Sequence, residues 1–69
     1  MDTRTTELVA IGAAVTASCV PCFRYHVERA REAGVEAGEI SEAVRVGRMV
    51  RKGAASQWDK GADALLAEG

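Results

Sequence analysis

From Leu8 to Phe23 the chain runs for sixteen residues without a charged side chain, in a total length of only 69. A domain of that size buries roughly 60% of the surface its unfolded chain exposes, so a stretch this apolar has to be covered on several sides. Sixteen residues fall short of the roughly 20 that a membrane-spanning helix needs. A lipoprotein-type leader ending at Cys19 would want a positively charged start, whereas Met1 to Glu7 sets Asp2 and Glu7 against Arg4. The expectation is a cytoplasmic protein with one buried helix and no membrane partner.

Hydrophobic periodicity gives helices and no strand, an all-α chain folded as a single small antiparallel domain over residues 1–69. Glu7 to Ala17 is Ala-rich and apolar nearly all round, as suits a helix enclosed by others. Ser18 reads as the N-cap of a second helix, with Pro21 in the first turn, where its missing N–H costs little. Phe23, Val27 and Ala30 form its inner stripe, and Gly34 ends it after about Ala33 in the left-handed conformation. After a connection from Val35 to Gly38, the apolar positions Ile40, Ala43, Val44, Gly47 and Val50 follow helical spacing. Gly53 is expected to bend or interrupt this helix, with a last one carrying Trp58, Ala62, Leu65 and Leu66 on one side. Trp58 is expected in the core or at an interface.

The chain is 48% hydrophobic but has only three aromatic residues, Phe23, Tyr25 and Trp58. A small Ala- and Val-rich core is marginal alone, and two cysteines three residues apart close too short a loop to help much. Association between copies, an obligate homo-oligomer, is the expected remedy. A net charge of −1 gives no general attraction to nucleic acid. The basic residues Arg45, Arg48, Arg51 and Lys52 read as a solvated face near a helix C-terminus.

The chemistry sits in Cys19-Val20-Pro21-Cys22, with His26 four residues beyond and Glu7 twelve residues before Cys19. Two thiols this close can form a disulfide and be reduced in turn, and a helix start favours the thiolate. His26 lies one turn beyond Cys22 on the same face, where it can act as base toward that thiol. A tight turn after Ala17 would bring Glu7 beside His26, and a carboxylate there orients the ring and raises its basicity. The thiolate would attack an electrophile such as a peroxide oxygen. The resulting sulfenic acid condenses with the second thiol, which protects the first from overoxidation. Helix-dipole reasoning alone favours Cys19 as the reactive thiol. The histidine favours Cys22, and a base within reach outweighs a dipole effect of about 0.3–1 kcal/mol.

Glu7, then eleven residues, then Cys-x-x-Cys-x-x-x-His, followed by an Ala-Gly turn and a Glu-Ile helix start, resembles the alkyl hydroperoxidase D-like core of the carboxymuconolactone decarboxylase family, over about Thr5 to Ala55. The resemblance implies a helical subunit assembled into trimers or hexamers, and a thiol peroxidase that needs no cofactor. Its disulfide would be rereduced by a dithiol such as a lipoyl-bearing protein. Carried over, Cys22 is the peroxidatic thiol, Cys19 the resolving one, His26 the relay and Glu7 the ultimate base. The decarboxylase branch lacks the cysteine pair, so its reaction is not implied. Pro21 stands where some peroxidase members have a histidine, and no relay is expected there. The chain is also much shorter than two-repeat members, and whatever their additional helices supply must come from neighbouring subunits or be absent.

Two other chemistries compete. The two cysteines and His26 could bind zinc with a fourth ligand from water or a neighbouring copy, although side chains at i, i+3 and i+7 spread along about 10 Å of helix axis. The pair could instead sense oxidation once and alter a partner interaction without turnover.

Overall fold

The computed structural model describes residues 1–69 as three helices, α1 (Thr3–Thr16), α2 (Val20–Glu32) and α3 (Ala37–Ala67). Helix α1 is the central element and packs along both others. Its early residues meet late residues of α2, Glu7 facing His26 and Arg29, so the two run antiparallel. Against α3 the pairing ascends together, from Arg4 with Glu39 to Val15 with Arg51, so α1 and α3 run parallel with α2 as the return. This position accounts for the apolar faces of α1 that meet α2 and α3, while Val9 on its remaining side stands exposed. Ile11 at its centre is fully buried, joined by Val27, Ala30, Val35 and Ile40, with Leu8, Phe23, Ala43 and Val44 around them.

Both reversals use the same device. Ser18 and Gly34 adopt left-handed backbone, φ 56° and 81°. In each, the N–H of that residue and the next fold back onto the last turn. Ser18 and Cys19 bond to Val15 and Ala14, and Gly34 and Val35 bond to Arg31 and Ala30. These are Schellman closures, and in the second Val35 and Ala30 supply the accompanying apolar contact. Gly34 thus ends α2 as expected. Ser18 does not cap the second helix. Reversing the chain in three residues requires a left-handed position there, and the N-cap role passes to Cys19, whose backbone is extended.

Helix α3 begins at Ala37, earlier than the spacing predicts. Glu39 Oε1 accepts from the Glu36 N–H at 3.4 Å and from Arg4 Nη2 at 2.9 Å, which fixes this start to α1. Gly53 does not interrupt the helix, which runs through it unbroken. No tertiary contact acts there, and the flanking Arg51, Lys52, Ala54 and Ala55 are good helix formers that offset a cost of about 1 kcal/mol. The expected last helix is therefore the second half of α3. The basic cluster, read as lying near a helix C-terminus, is in mid-helix for the same reason. At about 1.5 Å per residue the 31 residues of α3 set the long dimension of 53 Å. Its distal half leaves the body, and Trp58 is 72% exposed rather than part of this chain's core.

The α1–α3 seam closes on glycine. A Cβ at Gly47 would stand 2.7 Å from the Gly12 carbonyl oxygen and 2.8 Å from Val15 Cβ, so the helices meet there at backbone distance. The Thr16 hydroxyl spans the seam, with the carbonyls of Gly12 at 3.0 Å and Gly47 at 3.1 Å. No helix is long and apolar enough to cross a membrane.

Candidate functional site

Cys19 and Cys22 are joined in a disulfide at the start of α2, with Cα atoms 5.3 Å apart. The Cys19 sulfur also caps the helix, accepting the Cys22 N–H at 3.3 Å. Pro21 lies between them in the first turn, where no intrahelical bond is lost. Cys22 is exposed, whereas Cys19 is half-buried against the α1–α2 turn.

One turn beyond Cys22 along α2, His26 meets Glu7. Glu7 is 5% exposed, and its Oε2 lies 2.7 Å from His26 Nδ1. Its Oε1 accepts from Arg29 Nε at 3.1 Å. The carboxylate is thus held by two residues three apart on one face of α2. Hydrogen bonding from His26 first, and from Arg29 after it, holds the Glu7 carboxyl below its ordinary range despite the opposing effect of burial. Glu7 is therefore an anion at neutral pH. An anion opposite Nδ1 takes that nitrogen's proton as a hydrogen bond, which leaves Nε2 of the neutral ring as the basic atom. His26 is also fixed edge-on by Tyr25, ring centroids 5.0 Å apart, and the Arg29 guanidinium lies 5.7 Å from the Tyr25 ring centre.

The structure brings Glu7 to His26, as the turn geometry led us to expect, and places Cys19, Cys22 and His26 along the first two turns of α2. Arg29 was not singled out in the sequence. The available signal was its spacing, one turn beyond His26 and so aimed at the same partner. No three His, Cys, Asp or Glu side chains gather as a set of metal ligands, and in this state both sulfurs are bonded to each other.

A second feature adjoins the disulfide. The α1–α2 turn and the middle of α3 enclose a cleft of about 260 Å³, lined by Ser18, Cys19, Phe23, Val44, Arg48 and Arg51 among others. Arg51 Nη1 donates to the Val15 carbonyl at 3.1 Å and lies 3.4 Å from Ser18 Oγ.

Among curated proteins the chain is similar to "Uncharacterized protein 4 in cox locus" of Paracoccus denitrificans, 37% identical over 68 residues, covering 99% of this chain and 61% of that protein. The chain thus spans about three fifths of that relative's length. No solved structure gives a significant match. Residues 1–65 match the sequence model of the carboxymuconolactone decarboxylase family, and with a redox-capable cysteine pair at the head of its second helix the chain belongs to that family.

Proposed function

We propose that this chain is a thiol-dependent peroxidase that reduces hydroperoxides through Cys22 and Cys19. The observation that carries this is the Cys19–Cys22 disulfide on the same helix as a histidine whose Nδ1 is held by a buried carboxylate. In the reduced protein His26 Nε2 takes the Cys22 proton. The thiolate attacks the distal peroxide oxygen, the O–O bond breaks, and the departing alkoxide receives a proton from the imidazolium. Cys22 is left as a sulfenic acid. The Cys19 thiolate then attacks the Cys22 sulfur, expelling hydroxide, which leaves as water, and forming the disulfide. A dithiol returns two electrons and two protons to complete the cycle, and a lipoyl-bearing protein is the donor class that the family resemblance implies.

In this scheme Glu7 works as an anion. It orients the ring and stabilises the imidazolium, while His26 carries the proton. Association belongs to the same proposal, as a trimer or hexamer of this chain, supported by Trp58, Leu65 and Leu66 standing exposed on distal α3. A cytoplasmic setting suits a cycle that depends on reduction by thiols.

The test is the intact mass of reduced protein before and after peroxide, followed by peroxide consumption with dihydrolipoamide. A mass lower by two hydrogens and repeated turnover, both lost in Cys22→Ser, is the expected result. Consumption of one peroxide per chain and then none identifies a sensor instead. No disulfide and no consumption overturns the redox proposal.

A further inference from the structure

The cleft beside Cys19 has a composition of its own. Its walls are apolar, with Phe23 and Val44 prominent, no acidic side chain lines it, and two arginines enter from one face of α3. Arg48 and Arg51 are one turn apart and neither pairs with a carboxylate, whereas Arg4, Arg29 and Arg45 all do. Arg51 is committed in part to the end of α1, through Val15 and Ser18. Arg48 makes no hydrogen bond within the chain and is free to meet a ligand. Only Cys19 of the disulfide reaches this cleft. The neighbouring surface around Pro21, Arg24, Tyr25 and Glu28 has mixed charge and no cysteine.

We infer that this cleft is the entry site for a second class of reductant, a small thiol bearing a carboxylate on a short apolar chain, distinct from the uncharged lipoyl arm, and that Arg48 is the residue selecting its charge. This rests on the redox role of the pair and adds which sulfur is approached, from which side and by what class of thiol. The disulfide form is the state a reductant meets, and in it Cys19 shares the cleft with two arginines that no carboxylate pairs. The incoming thiolate attacks Cys19 Sγ and the Cys19–Cys22 bond breaks. Cys22 departs as a thiolate and takes its proton from solvent. A mixed disulfide links Cys19 to the reductant. A second thiol, on the same molecule or another, attacks the reductant's own sulfur and releases Cys19. The reductant is oxidised to its disulfide and the protein gains two electrons and two protons. The arginines favour each step that brings negative charge to Cys19, and the carboxylate of the thiol adds an ion pair with Arg48.

The experiment follows loss of the disulfide in the oxidised chain, by thiol titration or intact mass, with 3-mercaptopropionate and with 2-mercaptoethanol at equal thiolate concentration. The anionic thiol should react about two- to five-fold faster, the range for a solvent-exposed ion pair. The preference should fall toward one in Arg48→Gln, persist in Arg48→Lys and in Arg24→Gln, and shrink as salt is raised. A ratio of one in the native chain overturns the inference, as does a ratio that Arg48→Gln leaves unchanged or that Arg24→Gln abolishes equally. Because this exchange needs no peroxide, it separates from the peroxidase proposal. Charge preference without peroxide turnover would sink the peroxidase and keep the cleft. Turnover without charge preference would do the reverse.

Discussion

Glu7 Oε2 and His26 Nδ1 lie 2.7 Å apart across the α1–α2 seam, and the other Glu7 oxygen accepts from Arg29. One buried carboxylate thereby serves two nitrogen partners from consecutive turns of the helix that carries the disulfide. The arrangement fixes which imidazole nitrogen is basic, and it ties the proton chemistry of α2 to the packing of α1. Loss of Glu7 should therefore affect both activity and fold.

Replacing His26 with Gln removes the proton carrier and should lower the rate of peroxide-driven disulfide formation by about 10²–10⁴-fold, the usual span for a positioned acid–base group. Glu7→Gln should cost less, because the ring remains but its tautomer is no longer dictated. Stopped-flow measurement of disulfide formation in both variants, under one set of conditions, checks the order. Equal rates in Glu7→Gln and the native chain would remove Glu7 from the mechanism.

The same contact sets a pH limit on stability. The folded Glu7 carboxyl lies below its ordinary value near 4.5, so its contribution is fully present above that value and is lost as pH falls through the folded value. Thermal melts followed by circular dichroism should be nearly flat from neutral pH down to about 5 and then decline. Glu7→Gln should begin less stable at neutral pH and show a shallower acid decline. An unchanged acid slope in the variant would assign that decline to other carboxylates, of which Asp2 and Glu42 are also held low, by Thr5 and Arg45 respectively.

Two glycines in the same helix should respond in opposite directions. At Gly47 an added methyl meets the Gly12 carbonyl and Val15 at less than 3 Å, and both sites are fixed by the helix they belong to. Gly47→Ala should destabilise by about 1–3 kcal/mol as the α1–α3 seam is forced apart. At Gly53 nothing stands within 4 Å, and Gly53→Ala should stabilise by about 0.5–1 kcal/mol through helix propensity alone. Chemical denaturation of the two variants measures both signs.

These glycines also mark what the sequence could disclose. Gly34 was legible as a helix end because a left-handed closure after a run of helix formers has few other solutions. Gly53 looked like a break because an isolated glycine carries the same local signal whether or not packing uses it, and only the empty surroundings at that position decide. Ser18 departs from the expected cap for a related reason. Serine before a helix is the commonest cap, but the three-residue reversal needed a left-handed residue, and Cys19 supplied the cap with sulfur. The Glu7–His26 contact followed from spacing and a tight turn. The cleft did not, because Arg48 and Arg51 read as solvated cations until the parallel packing of α3 on α1 carried them to the α1–α2 turn.

The two cysteines should separate cleanly by variant. With Cys19→Ser, peroxide should produce a sulfenic acid at Cys22 that persists and proceeds to overoxidation, because no resolving thiol remains. With Cys22→Ser, no sulfenic acid should form. Trapping with a dimedone-type reagent and mass spectrometry reads both, and the reverse pattern would make Cys19 the peroxidatic thiol, as its place at the helix N-cap would favour.

The distal half of α3 projects from the body with its apolar side chains exposed. Only eight of the 69 residues are buried, too few for a confident margin of stability in a chain this short. Meanwhile Trp58, Leu65 and Leu66 are 72%, 69% and 79% exposed, and Trp58, Ala62 and Leu65 share one face of the helix. Copies of the chain covering that face would supply the missing burial, and a central tryptophan is the type of residue that dominates such contacts. Sedimentation should give a mass that is a multiple of the single chain, with a melting temperature that rises with protein concentration. Trp58→Ala should weaken association by about 2 kcal/mol or more and lower the melting temperature along with it. A single-chain mass and a melting temperature independent of concentration would show that the projecting helix stands alone, and would remove association from the proposed function.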